Sequence, residues 1–367
     1  MENIIIPKPL QIVVDDMGWF CPNDDREKGG PSRTAMSRPH VAADYEAINN
    51  LGKALDMKIN CAFIIGEWDP DNRLKDIPNL SKWGKDWDNV YYIDKNKLIE
   101  CIDVINNSPF IDIAVHGLMH GYYIENTDNP DVSDYYFLRQ GNLYMIPERE
   151  VRRRIEAFFD ILKYHGVNKK VNSFVPPSFR TRWGELSRIL GDYGIEYIST
   201  IFKFLDCDND KPVDVGIENG IVTLDRNNNL IPWNEISTDF SKLPCAVGVF
   251  GAHWPNFLHT DAERNSEVID SAVKYFKKCG NQFGTVLSRD MEFCANQSLC
   301  EAYSVIRNGV VDLSSVPKKL DSFVVSSKRE ISSCDSARIV RIGDRDGFIN
   351  YEIYPTTNIV KLSNSSS

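Results

Sequence analysis

The sequence predicts an α/β protein followed by a small all-β module, and two patterns support this. Over the first two thirds of the 367 residues, short apolar, β-branched runs alternate with amphipathic stretches of helical period. After about residue 300, apolar and polar residues alternate in short runs separated by turn signals. The first pattern indicates parallel β-α units, in an open sheet or a barrel, and the second indicates antiparallel strands. We therefore expect one large domain at residues 1–300 and a β-sandwich-like accessory module at 301–367 that ends in a frayed tail.

The elements are predicted in order from the N-terminus. Strands are expected at the run IVV before Asp15 and at residues 58–65, 110–115, 172–175, 196–200 and 246–251. Helices are expected at residues 41–55, 97–106, 147–164, 182–193 and 262–279, because apolar residues recur there at helical spacing. The long stretch 18–39, which is rich in Gly and Pro, is expected to be an insertion that shapes the site.

Composition and charge restrict the class of protein. The chain is 42% hydrophobic and 26% charged, which is ordinary for a globular protein and excludes wholesale disorder. The net charge of −10 disfavours a nucleic-acid partner and a polybasic membrane anchor. No apolar run approaches the roughly 20 residues that span a bilayer, and the first residues lack signal-peptide features. Because the nine cysteines include no CxxC pair, reduced thiols and a cytoplasmic location are expected.

Residues with chemically useful side chains follow the predicted strands. Asp15 and Asp16 end the first strand, His116 follows the strand at 110–115, and His253 follows the strand at 246–251. Sites in parallel α/β folds lie beyond the carboxyl ends of the strands. We therefore expect these side chains to gather at one end of the sheet.

The spacing of these residues is typical of a metal site. His116 and His120 are four residues apart, so both imidazoles can hold one cation. Successive side chains at a strand end point in different directions, so one aspartate can bind the cation while the other faces a bound water. Two histidines and one aspartate are a common donor set at hydrolytic metal centres. The structural alternatives are a partly buried histidine pair, a solvated aspartate turn and a core histidine at 253.

In their order along the chain, these motifs resemble those of the polysaccharide deacetylase (NodB-homology) family of carbohydrate esterases. The resemblance spans residues 12–291 and includes the segment FVPP at 174–177. It implies a distorted (β/α) barrel and a divalent metal, first Zn²⁺, with Co²⁺, Ni²⁺ or Mn²⁺ as alternatives. It also implies a role for each motif residue: Asp15 as general base, His253 as general acid, and Asp16, His116 and His120 as metal ligands.

The third motif of the family departs from its usual pattern here. Val175 stands where the family has an arginine, and Arg180 or Arg182 is the candidate to reach the same space. A backbone N–H near Ser178 or Phe179 is expected to stabilise the oxyanion. Trp233 resembles the tryptophan motif of the family. Six residues are expected to contact the substrate: Trp19, Pro177, Ser178, Arg180, Trp233 and Trp254.

The function expected from the resemblance is removal of an acetyl group from an N- or O-acetylated carbohydrate by metal-activated water. Two alternatives stay open. One is hydrolysis of a small cyclic amide or imide. The other is a catalytically degenerate glycan-binding protein, which the valine at 175 favours. The expected partner is a small-molecule or oligosaccharide substrate, with a homo-oligomer allowed.

Overall fold

The structure, a computed structural model, describes residues 4–20, 35–81, 83–89, 93–123, 133–207, 211–226, 230–334, 336–345 and 347–364. Residues 21–34 of the expected insertion at 18–39 lie outside these ranges. The central feature is a nine-stranded sheet. Its strands are β1 (Lys8–Met17), β2 (Ile59–Ile64), β3 (Ile111–Gly117), β4 (Val171–Phe174), β5 (Tyr197–Thr200), β6 (Val215–Glu218), β7 (Ile221–Asp225), β8 (Gly248–His253) and β9 (Thr285–Leu287).

The strand order across the sheet is β6-β7-β5-β4-β3-β2-β1-β8, and β9 pairs with the first residues of β1. All pairs are parallel except β6 with β7. Strand β1 is buried on both faces, with Ile12 and Val14 in one core and Val13 in the other. This double burial explains why the middle of β1 is the unbroken apolar run IVV, as is typical of parallel strands covered on both sides.

Six α-helices accompany the sheet in the described part of the chain: α1 (Ala42–Leu55), α2 (Lys95–Asn107), α3 (Glu148–Tyr164), α4 (Leu186–Gly191), α5 (Asn265–Gly280) and α6 (Met291–Tyr303). The predicted helices are confirmed, although α4 is shorter than expected because Thr181–Arg182 forms a short strand. Helix α3 is amphipathic, and its buried face is formed by Val151, Ile155, Phe158 and Leu162. None of the described helices is long and apolar enough to cross a membrane.

The sheet curls so that strands far apart in its order come together. Arg226 directly follows β7, yet its guanidinium donates two hydrogen bonds to Asp15 on β1. Four strands separate β7 from β1 in the sheet. The backbone N–H of Ile231, which follows β7, also bonds to Gly251 of β8 at 3.3 Å. The mixed α/β class is therefore confirmed, with a sheet curled toward a barrel.

Antiparallel strands follow α6, as the sequence predicts. One sheet contains Phe323–Ser327, Phe348–Pro355 and Ala337–Arg345, and Ile4–Ile5 from the N-terminus pairs with its strand Phe323–Ser327. A second contains Val305–Arg307, Val310–Asp312 and Ile359–Lys361. On α6, the buried side chain of Gln297 bonds to the backbone of Pro7 and Val324. The division into domains at residue 300 stays a prediction.

Candidate active site

The two aspartates that end β1 are both buried and point to different partners. Asp15 lies opposite His253 in the register of β1 and β8. Pairing with β2 becomes irregular between Val14 and Met17, and Asp16 takes a left-handed backbone conformation with φ of 60°. A bulge of this kind redirects side chains at a strand end. The two adjacent carboxylates are thereby separated into different surroundings.

Asp16 forms a buried cluster with the two histidines of the HxxxH motif. Its Oδ1 atom lies 3.5 Å from Nε2 of His116 and 3.6 Å from Nε2 of His120. Nε2 of a third histidine, His253, lies 3.9 Å from the other carboxylate oxygen of Asp16. Burial alone would raise the pKa of Asp16, but the neighbouring histidines outweigh it and hold that pKa below its usual range. The cluster therefore favours an ionised carboxylate facing three imidazoles.

These three residues fit a divalent cation. Each of Asp16, His116 and His120 offers one donor atom, and these atoms lie within 4.8 Å of one another. Ligand atoms at about 2.1 Å from a tetrahedral zinc ion are about 3.4 Å apart, close to the separations found here. In addition, Oδ1 of Asp16 is buried and accepts no hydrogen bond from the described residues. A buried oxygen in this state is costly unless something positive satisfies it.

The two histidines of the cluster are held in position by the chain around them. Nδ1 of His116 lies 2.7 Å from the carbonyl oxygen of Val175, so this nitrogen carries the proton and Nε2 faces Asp16. The loop after β3 is fixed by Asp134, whose carboxylate accepts hydrogen bonds from the N–H groups of Leu118 and Met119, both at 3.0 Å. The structure therefore gives Val175 and Asp134 positioning roles, which the sequence did not reveal.

Asp15 is paired with Arg226, a residue that the sequence analysis missed. The guanidinium donates to both carboxylate oxygens, at 2.5 and 2.9 Å, and both side chains are buried. Arg226 also donates to Ser199 at 3.0 Å and covers the ring of Phe179. The available signal was the apolar run IVTL at 221–224, which ends in charged residues as β1 does. The arginine that contacts Asp15 is thus the residue directly after β7, whereas the roles expected of Arg180 and Arg182 stay predictions.

His253 is oriented by the segment that follows β7. Its Nδ1 atom lies 2.7 Å from the carbonyl oxygen of Ile231, so Nδ1 carries a proton and Nε2 faces Asp16. The backbone N–H of His253 donates to Asn256, whose amide in turn donates to the carbonyl groups of Pro232 and Glu235. Trp233 is half-buried in this same segment, two residues after Ile231.

The segment after β4 carries two consecutive residues in the left-handed region. Ser178 and Phe179 have φ angles of 55° and 56°, and Pro177 before them is buried. Strain of this kind in non-glycine residues often marks functional sites. The N–H of Phe179 donates to the carbonyl oxygen of Pro176 at 2.9 Å, which argues against Phe179 as the oxyanion donor. The same role for Ser178 stays a prediction.

Two of the predicted substrate contacts are deep in the core. Trp19 and Trp254 are both fully buried, and Trp254 stacks on His40 with ring centroids 3.7 Å apart. A buried indole leaves no ring face for a sugar, so the structure argues against these two contacts. Arg180 is half-buried and lines a groove together with Arg182 and Lys203.

No protein-family model and no curated sequence matches the chain. Among solved structures, a provisionally assigned polysaccharide deacetylase from Mycobacterium smegmatis is similar over 80% of this chain and 91% of its own, at 12% identity and a TM-score of 0.42. The 4-α-glucanotransferase from Thermococcus litoralis covers 77% of this chain with 39% of its own, at 14% identity and a TM-score of 0.41. A family 4 carbohydrate esterase from Streptomyces lividans covers 77% and 92%, at 11% identity and a TM-score of 0.34. Similarities at this level do not decide the function of this chain, so the proposal for it rests on the geometry of its own site.

Proposed function

We propose that the protein is a metal-dependent hydrolase that removes an acetyl group from an N- or O-acetylated carbohydrate. The observation that carries this proposal is the convergence of Asp16, His116 and His120 into one buried cluster beside Asp15 and His253. The motif resemblance to the polysaccharide deacetylase (NodB-homology) family supplies the reaction class. With it we propose the NodB type of barrel, the accessory module at 301–367 and a cytoplasmic location.

The chain offers a residue for each proton that such a hydrolysis must move. A divalent cation at the cluster, first Zn²⁺, would polarise the acetyl carbonyl and acidify a water. Asp15, held by two hydrogen bonds from Arg226, would accept the proton of the attacking water. Nε2 of His253 is the nitrogen that faces the site, because Nδ1 is bonded to Ile231. His253 would give a proton to the departing amine or alkoxide.

The position of Arg226 weakens the non-enzymatic alternative. That alternative drew its support from Val175, which stands where the family has an arginine. In the structure, a guanidinium reaches Asp15 from the end of β7 instead. The charge of a buried carboxylate is thus compensated by a different part of the chain, so the valine at 175 no longer favours the degenerate alternative.

The test is release of acetate from acetylated chito- and xylo-oligosaccharides by protein supplied with Zn²⁺, Co²⁺ or Ni²⁺. The expected result is hydrolysis that disappears in the double variant His116→Ala/His120→Ala, together with loss of bound metal by elemental analysis. His259→Gln is the matched control, because His259 contacts Asp261 far along the chain from the cluster ligands. Acetate release that persists in the double variant would refute the metal mechanism, and opening of a cyclic imide without acetate release would favour the amidohydrolase alternative.

A further inference from the structure

The structure contains a groove of about 540 Å³ that shares no lining residue with the cluster of Asp16, His116 and His120. Its walls are the hairpin of Tyr136–Arg139 and Asn142–Met145, residues 180–182 and residues 203–206. A short parallel bridge between Thr181–Arg182 and Leu205–Asp206 forms one side. The volume falls within the range of roughly 300–1,000 Å³ that is typical of small-molecule sites.

Two structural connections join this groove to the metal cluster. The first is a stack of aromatic rings: Tyr122, two residues after His120, packs on Phe137, which packs on Tyr144 at the groove. The second is the backbone after β4. Phe179 contacts Arg226 at the active site, and the next residue, Arg180, lines the groove. Neighbouring residues of the chain therefore connect the groove to the candidate active site.

The groove is positively charged although the chain as a whole carries −10. Three cationic side chains, Arg180, Arg182 and Lys203, line it with one carboxylate, Asp206. Asp206 lies 3.8 Å from Arg182, so that pair is largely self-compensated. Among the described residues, no oxygen accepts a hydrogen bond from the Arg180 guanidinium, which is half-buried. Partly buried cationic groups without a counter-charge favour binding of an anion.

The groove also exposes apolar rings. Tyr144 and Phe204 are each 46% exposed, and both line this one groove. Aromatic faces suit the C–H faces of sugar rings. The combination of exposed rings with an excess of positive charge distinguishes this groove from a site for a neutral glycan or a simple ion.

We propose that this groove binds a saccharide unit that carries an anionic group, either the carboxylate of a uronic acid or a phosphate. This inference rests on the proposed function, because it places the charged unit next to the acetylated sugar. Arg180 and Lys203 bind the anion, and Tyr144 and Phe204 contact the ring. The preferred substrate is thus an acidic acetylated saccharide rather than a neutral one.

Calorimetric titration of the metal-loaded protein with three probes tests the proposal: trigalacturonate, N-acetylglucosamine 6-phosphate and neutral chitotriose. At least one anionic probe is expected to bind about tenfold or more tightly than chitotriose, with affinity that falls as salt is raised. Arg180→Gln/Lys203→Gln is expected to abolish this difference. Lys242→Gln is the control, since Lys242 is exposed elsewhere and pairs only locally with Asp239 among the described residues. Whichever anionic probe binds more tightly identifies the charged group.

The two proposals fail separately in this design. Equal affinity for charged and neutral probes, or a preference that survives in Arg180→Gln/Lys203→Gln, would overturn the anionic groove even if acetate is released from neutral sugars. Anion-selective binding without acetate release from any acetylated saccharide would overturn the proposed function alone. Thermal unfolding checks that the variant is folded, and the single charge reversal Lys203→Glu at an exposed position serves if it is not.

Discussion

The pairing of Arg226 with Asp15 predicts a large and specific loss of stability when only one partner is removed. Both side chains are almost fully buried, at 0% and 1% exposure, and two hydrogen bonds join them. Arg226→Met leaves the Asp15 carboxylate buried without compensation, which typically costs about 3–5 kcal/mol. Neutralising both partners removes the uncompensated charge, so Arg226→Met/Asp15→Asn is expected to be about 2 kcal/mol more stable than Arg226→Met.

Urea unfolding of the four proteins in this double-mutant cycle measures the coupling directly. Acetate release from the folded fraction supplies a second readout. Arg226→Met is expected to retain metal, because Arg226 contacts none of Asp16, His116 and His120, and to lose about 100-fold or more in turnover through displacement of Asp15. Arg226→Lys cannot reproduce the two-pronged contact and should fall in between. If Arg226→Met unfolds within about 1 kcal/mol of the wild type and the double variant is no more stable, the buried pair is not formed.

Three further predictions concern the surroundings of the site. Asp134→Asn weakens the acceptor for the N–H groups of Leu118 and Met119. Metal affinity, measured against a competing chelator, should therefore fall about 10–100-fold. Unchanged affinity would show that Asp134 does not position the cluster. Gly117→Ala places a Cβ 2.3 Å from the Asp134 carboxylate at a φ of 138°, so it should lower the melting temperature by several degrees. Gly191→Ala is the control, because an added Cβ there meets open space and should leave the melting temperature unchanged. Equal effects of the two substitutions would contradict the close approach of Gly117 to Asp134. Burial would raise the pKa of Asp44, but hydrogen bonds from Arg38 and His40 outweigh it and hold that pKa below its usual range. This stabilisation exists above about pH 3.9 and is lost below it, so urea midpoints should fall more between about pH 5 and pH 3 for the wild type than for Asp44→Asn; parallel profiles would exclude the effect.

The sequence revealed most of the parallel sheet because its strands are buried on both faces. The middle of β1 is therefore the apolar run IVV and β3 carries the run IAV before His116, so the residues that follow these runs could be assigned to one end of the sheet. Helix α6 escaped prediction for the opposite reason. Its polar residues Asn296 and Gln297 are buried together with its apolar ones, so no stripe of helical period is visible.

The candidate site was predictable as far as its motifs are local. His116 and His120 are four residues apart directly after a predicted strand, and this spacing together with its position predicts a shared cation. Arg226 was not predictable in the same way, because it meets Asp15 only after the sheet curls, across 211 residues of chain. The burial of Trp19 and Trp254 was also not predictable, because the sequence near a motif does not show whether an aromatic ring packs into the core or faces a ligand.

The pairing of Ile4–Ile5 with Phe323–Ser327 joins the first described residues to an antiparallel sheet formed by residues 323–355. In a fragment comprising residues 301–367, the strand Phe323–Ser327 would lose its partner Ile4–Ile5 and become an unpaired sheet edge. Unpaired edges promote self-association. A circular permutant that joins the two ends and opens an exposed turn elsewhere would keep that edge covered. Deletion of the N-terminal strand, by contrast, would also destabilise the C-terminal sheet with which it pairs.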